Sequence, residues 1–84
     1  MKSAPANART LREIDTDHGW EKGTAFRRFK QLAKQAREEQ DYWVYAPPQP
    51  EFSRLQPRLY PGSQRAILLS QSLAVRLPAA DERR

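Results

Sequence analysis

Apolar residues recur at two spacings along the chain and divide it into short elements. Leu11 and Ile14 stand three apart, and His18 continues their face. Thr10, with Glu13 three residues later, forms a capping-box pattern. A short helix over Thr10–Asp17 is therefore predicted, with Gly19 as its stop. A second helix starts at Gly23 or Thr24. Ala25, Phe26, Phe29, Leu32, Ala33 and Ala36 follow i, i+3, i+4 spacing and predict helix to about Arg37 or Glu39. Its other face carries Arg27, Arg28, Lys30, Gln31, Lys34 and Gln35. The pattern then changes: Asp41–Tyr45 is aromatic and β-branched and predicts a strand. Pro47, Pro48 and Pro50 end it. Five of the seven prolines lie between Ala46 and Gly62, so this stretch reads as a long irregular loop. Tyr60-Pro61-Gly62-Ser63 favours a type II turn. Arg65–Leu69 is a second strand. Ser70 caps a last short helix with Leu73, Ala74 and Leu77 inward, and Pro78 stops it. Residues 1–9 read as a flexible arm, 10–78 as one domain and 79–84 as a tail.

Charge sharpens this outline. The chain carries fifteen Lys+Arg and ten Asp+Glu, a net charge of +5 with a pI of about 10.1, and it alternates in sign. Between Leu11 and Glu21 one base, Arg12, stands against Glu13, Asp15, Asp17 and Glu21. Lys22–Arg37 holds six bases and no acid; Glu38–Glu51 holds only acids; Phe52–Leu77 holds Arg54, Arg58, Arg65 and Arg76 and no acid. Two acid-free basic stretches in one small domain point to a polyanionic partner.

Composition removes other classes. With 84 residues there is room for one domain, which buries roughly 60% of the surface of its unfolded chain. The absence of cysteine excludes a disulfide framework, a thiolate zinc site and a cysteine nucleophile. One histidine leaves little material for a metal centre or a catalytic triad. His18 near Asp15 and Asp17 sits where carboxylates splay around a helix end, an arrangement better suited to capping and charge pairing than to a metal. No enzyme activity, cofactor or metal is expected. No apolar stretch is long enough to span a membrane, and the first residues lack the apolar centre of a signal peptide, so a cytoplasmic, nucleoid-associated protein is expected.

The constellations point to nucleic acid. Two short helices joined by a glycine-containing turn, the second with a basic face, match a helix-turn-helix whose second helix enters the major groove. Thr24, Arg27, Arg28, Lys30, Gln31 and Lys34 are the side chains such a helix would use, with Lys22 ahead of them. The backbone amides at Gly23 and Thr24 suit a phosphate. Arg54, Arg58 and Arg65 lie in or beside the loop between the strands and would act as a wing on the minor groove or backbone. Phe26, Phe29, Trp43 and Leu69 are expected to form a common core. A basic helix with a solvated face, or a polyproline ligand, are the alternative uses of the same residues.

From Leu11 to Leu77 the pattern resembles the winged-helix excisionases of phages and integrative elements, loosely within the MerR-like superfamily. Leu11-Arg-Glu-Ile, His18-Gly-Trp and Gly23-Thr-Ala-Phe-Arg-Arg-Phe-Lys look like that family's helix, turn and recognition helix. Asp41-Tyr-Trp-Val-Tyr looks like the first wing strand, and Arg65-Ala-Ile-Leu-Leu-Ser-Gln-Ser-Leu-Ala-Val like the return strand with its capped helix. The second helix is longer than usual, and the wing is long and proline-rich. The resemblance implies a small α+β winged helix-turn-helix: two N-terminal helices, a two-stranded hairpin with a Pro-rich wing, and a short C-terminal helix. It further implies a double-stranded DNA-binding protein that bends DNA and steers an integrase towards excision; cooperative self-association on DNA is a separate expectation. A transcriptional regulator of a mobile element is the neighbouring expectation. A protein-interaction module or inhibitor docking on an acidic partner is the expectation from another class.

Overall fold

A computed structural model describes residues 4–79. The ends of the predicted arm and tail lie outside the described residues. The chain is a small α+β fold, with four α-helices and a three-stranded antiparallel sheet among the described residues. In order they are β1 (Arg9–Thr10), α1 (Leu11–His18), α2 (Thr24–Ala33), β2 (Tyr42–Tyr45), α3 (Pro50–Leu55), β3 (Ala66–Leu69) and α4 (Gln71–Ala74). Single turns of 3-10 helix follow α3 at Gln56–Arg58 and α4 at Leu77–Ala79. No helix among the described residues is long and apolar enough to cross a membrane.

The caps read from the sequence are formed. The Thr10 hydroxyl accepts from the Glu13 amide at 3.1 Å, and the Glu13 carboxylate accepts from the Thr10 amide at 3.0 Å, a reciprocal capping box. Gly19 closes α1 in the left-handed region, with φ of 66°, where a side chain would be strained. The Ser70 hydroxyl accepts from the Leu73 amide at 3.1 Å and starts α4. Gly62 has φ of 83°, and the Ser63 amide donates to the Tyr60 carbonyl at 3.1 Å, as a type II turn requires.

Three elements differ from the expectation. The predicted arm is ordered at its end: Arg9 and Thr10 pair with Leu69 and Leu68, and Ala8 is buried. The sheet order is therefore β1-β3-β2 rather than a two-stranded hairpin. The second helix ends at Ala33, short of Arg37. A tight turn into β2 competes for those residues: the Asp41 carboxylate accepts from the Arg37 amide at 3.0 Å, and the Asp41 amide donates to the Arg37 carbonyl at 2.7 Å. The Pro-rich stretch is not an irregular loop. Pro50 opens α3, a position where its missing amide hydrogen costs nothing, and Phe52 and Leu55 turn inward.

The sheet separates two cores. Alternation along β3 sends Leu68 and Ala66 one way, where they meet Trp43, Phe52, Leu55 and Leu59. Leu69 faces the other way and meets Ile14, Ala25, Phe29, Leu73 and Leu77. Trp43 thus lies across the sheet from Phe29 and Leu69, not in a common core with them. Phe26 lies outside both and is 40% exposed.

Candidate nucleic-acid interface

The position of α2 is fixed from behind. Gly23 is its N-cap and has no side chain to offer the first amides. Asp15, on α1 and 1% exposed, reaches across instead. Its carboxylate accepts from the Gly23 amide at 3.1 Å, the Ala25 amide at 2.8 Å and the Tyr60 hydroxyl at 2.6 Å. A carboxylate at a helix N-terminus is favoured by the unpaired amides and by the helix dipole. The predicted phosphate site at Gly23–Thr24 is therefore filled by the protein itself. Burial and the donation to Asp15 push the Tyr60 phenol up to about 12. Further along α2, Arg28 donates to the carbonyls of Leu77 and Pro78 at 3.2 and 3.0 Å. Its guanidinium lies 4.6 Å from the Trp20 ring centroid, and Trp20 in turn stacks on His18 at 4.3 Å.

Helical spacing then sorts the outer side of α2 into two stripes. Arg27, Gln31 and Lys34, at i, i+4 and i+7, are exposed. Phe26, Lys30 and Ala33 form the neighbouring stripe and border a groove between α2 and the residues leading into β3. Lys22 and Arg65 stand on the rim of the same groove. The Lys22 ammonium is 5.2 Å from the Tyr60 ring centroid, and the Lys30 ammonium 5.1 Å from that of Phe26. Lys22, Lys30, Lys34 and Arg65 have no carboxylate in ion-pair range among the described residues.

Of the ten residues expected to touch DNA, six gather on this side: Lys22, Arg27, Lys30, Gln31, Lys34 and Arg65. The others do not. Thr24 is only 9% exposed. Arg28 holds α2 to the C-terminal turn. Arg54 is exposed on α3, whose apolar residues pack on the opposite face of the sheet from α2. Arg58 is a structural residue: its Nε and a terminal nitrogen each donate to Glu13 at 2.8 Å, and the same terminal nitrogen reaches the Ala8 carbonyl at 3.0 Å. This forked pairing holds the Glu13 carboxyl below the ordinary glutamate range and raises Arg58.

Sequence reasoning missed Asp15 as the brace of α2. The missing side chain at Gly23 was the available signal, since a helix start without its own cap needs an acceptor from elsewhere. No protein-family model, curated protein or solved structure matches this chain.

Proposed function

We propose that this chain is a winged-helix protein that binds double-stranded DNA, with α2 as the element laid in the major groove. The observation that carries the reading is the outer side of α2. Arg27, Lys30, Gln31 and Lys34 are exposed there on a helix without a carboxylate, while its inner side is fixed by Asp15, Phe29 and Arg28. Such fixing pre-organises the side chains that face the ligand. Arg27 and Gln31, one turn apart, read base edges, for which their paired donors and acceptors are suited. Lys22, Lys30, Lys34 and Arg65 contact phosphates. β2 and β3 form the wing, with Arg65 as its contribution to the contact. The role we propose for this binding is architectural: bending DNA at the attachment site of a mobile element and steering an integrase towards excision.

The test is selection of bound duplexes from a random pool, followed by affinity measurements at one fixed salt. Arg27→Ala or Gln31→Ala should lose about 1–3 kcal/mol on the selected site and relax preference at one position. Lys34→Ala should weaken selected and random DNA alike. A pool that yields no preferred sequence, with Arg27 and Gln31 variants binding as the parent does, refutes base reading by α2.

A further inference from the structure

The groove beside α2 has a chemistry that DNA does not match. Its volume is about 640 Å³. The floor is apolar, made by Phe29, Tyr42, Val44 and Ile67; Phe26 and Ala33 form one wall and the Pro61–Gln64 segment the other. Phe29 and Tyr42 meet edge to face with centroids 5.0 Å apart, so the floor is a packed surface. Three cations, Lys22, Lys30 and Arg65, stand around it. Lys22 and Lys30 each lie four residues from Phe26 and are held over aromatic rings. Among the described residues the one carboxylate on the lining, Asp15, is occupied by two amides and the Tyr60 hydroxyl.

We propose that this groove docks a peptide segment of a partner protein that combines an apolar anchor with flanking Asp and Glu residues. The two halves of the site demand the two halves of the ligand. A sugar-phosphate backbone would satisfy the cations but leave the exposed Phe26 and the apolar floor wet. An uncharged apolar segment would cover the floor but leave the three cations unpaired. An acidic segment with Phe, Leu or Trp anchors does both: the anchors enter between Phe26 and Ile67, and the carboxylates reach Lys22, Lys30 and Arg65. The groove shares Lys22, Lys30 and Arg65 with the proposed phosphate contacts, so peptide and duplex would compete for them, whereas Arg27 and Gln31, assigned to base contact, and Lys34 are not part of its lining.

The experiment is random-peptide display selected against the full chain, with the enriched peptides then synthesised and titrated. Enriched peptides should carry one or two large apolar residues flanked by acids. Phe26→Ala should weaken them at least about tenfold, as should Lys22→Glu combined with Arg65→Glu, while Lys34→Ala leaves them unchanged. Phe26 is exposed, so its variant should retain the parent's melting temperature, which is checked alongside. Replacing the peptide's anchors by Ser, or its acids by Asn and Gln, should each abolish binding. Four results overturn the proposal: enrichment without acids and anchors, binding indifferent to Phe26, equal binding of polyglutamate, or a dimer of the chain that Phe26→Ala dissociates. Loss of DNA affinity in Lys34→Ala with peptide binding intact supports the proposal, since Lys34 lies outside the groove, and the peptide should then compete with duplex for Lys22, Lys30 and Arg65.

Discussion

The two basic stretches of the chain, similar on paper, are used differently in the fold. Between Lys22 and Lys34 most cations are exposed along a helix, while Arg28 turns back to bond the carbonyls of Leu77 and Pro78. Between Phe52 and Leu77 the charges are dispersed. Arg58 is bound to Glu13 and to the Ala8 carbonyl, Arg54 sits on the far side of the sheet, and Arg65 joins the α2 surface. What separates the two is access to acceptors within the fold. Glu13 is available to Arg58 because β1 brings the start of α1 beside the end of α3. Asp15 of α1, packed against the start of the first stretch, is already taken by the amides of Gly23 and Ala25. Counting bases in the sequence therefore overstates the second stretch as a ligand surface.

The largest effect should come from removing what holds α2 in place. Phe29→Ala opens a cavity beside Leu69 and should cost about 3–5 kcal/mol, most of what so small a domain has. Urea titration checks it, and a midpoint like the parent's would show that this face of α2 is not a core. Asp15→Ala should cost about 2–4 kcal/mol, since two amides and a phenol lose a charged acceptor in a buried place. It should also return the Tyr60 phenol towards its ordinary range, which ultraviolet titration follows. An unchanged phenol titration would break the proposed brace.

The comparison sharpens further at two arginines. Arg58→Ala should lower stability by about 1 kcal/mol, discounted for partial exposure, and leave duplex affinity unchanged. Arg65→Ala should do the reverse. The Glu13–Arg58 pair also sets an acid limb. Because the folded chain holds Glu13 ionised below the ordinary range, its contribution is fully present above the unfolded value and is lost as pH falls through the folded one. Glu13→Gln should thus flatten the loss of stability on acidification, measured as the urea midpoint against pH. Equal slopes in parent and variant would mean the pair contributes nothing.

Local chemistry made part of this legible beforehand. Thr10 with Glu13, Gly19, Ser70 and the Tyr60–Ser63 turn are signals contained within a few residues, and each forms as spaced. The unread features depend on residues far apart in the chain. The strand at Arg9–Thr10 exists only because β3, nearly sixty residues on, offers an edge. Glu13 and Arg58 are 45 residues apart. Phe26 fits the apolar period of α2, yet neither core cluster among the described residues takes it in, and it stays open. α3 was hidden by its prolines, although Pro50 at a helix start is compatible with helix. Four of the candidate contacts, Arg27, Lys30, Gln31 and Lys34, could be named from the basic face alone. Which arginines are internal could not, because that depends on which carboxylates and carbonyls the fold brings within reach.

The most direct measurement is the salt dependence of duplex binding for the parent, Lys34→Ala and Arg58→Ala, by fluorescence anisotropy. With Lys22, Lys30, Lys34 and Arg65 on phosphates, log K should fall against log salt with a slope of roughly −3 to −4, about −0.9 for each contact. Lys34→Ala should reduce the slope by about 0.9, and Arg58→Ala should leave it as in the parent. A slope near zero for the parent would contradict DNA binding, and a slope lowered by Arg58→Ala but not by Lys34→Ala would contradict the division between the two basic stretches.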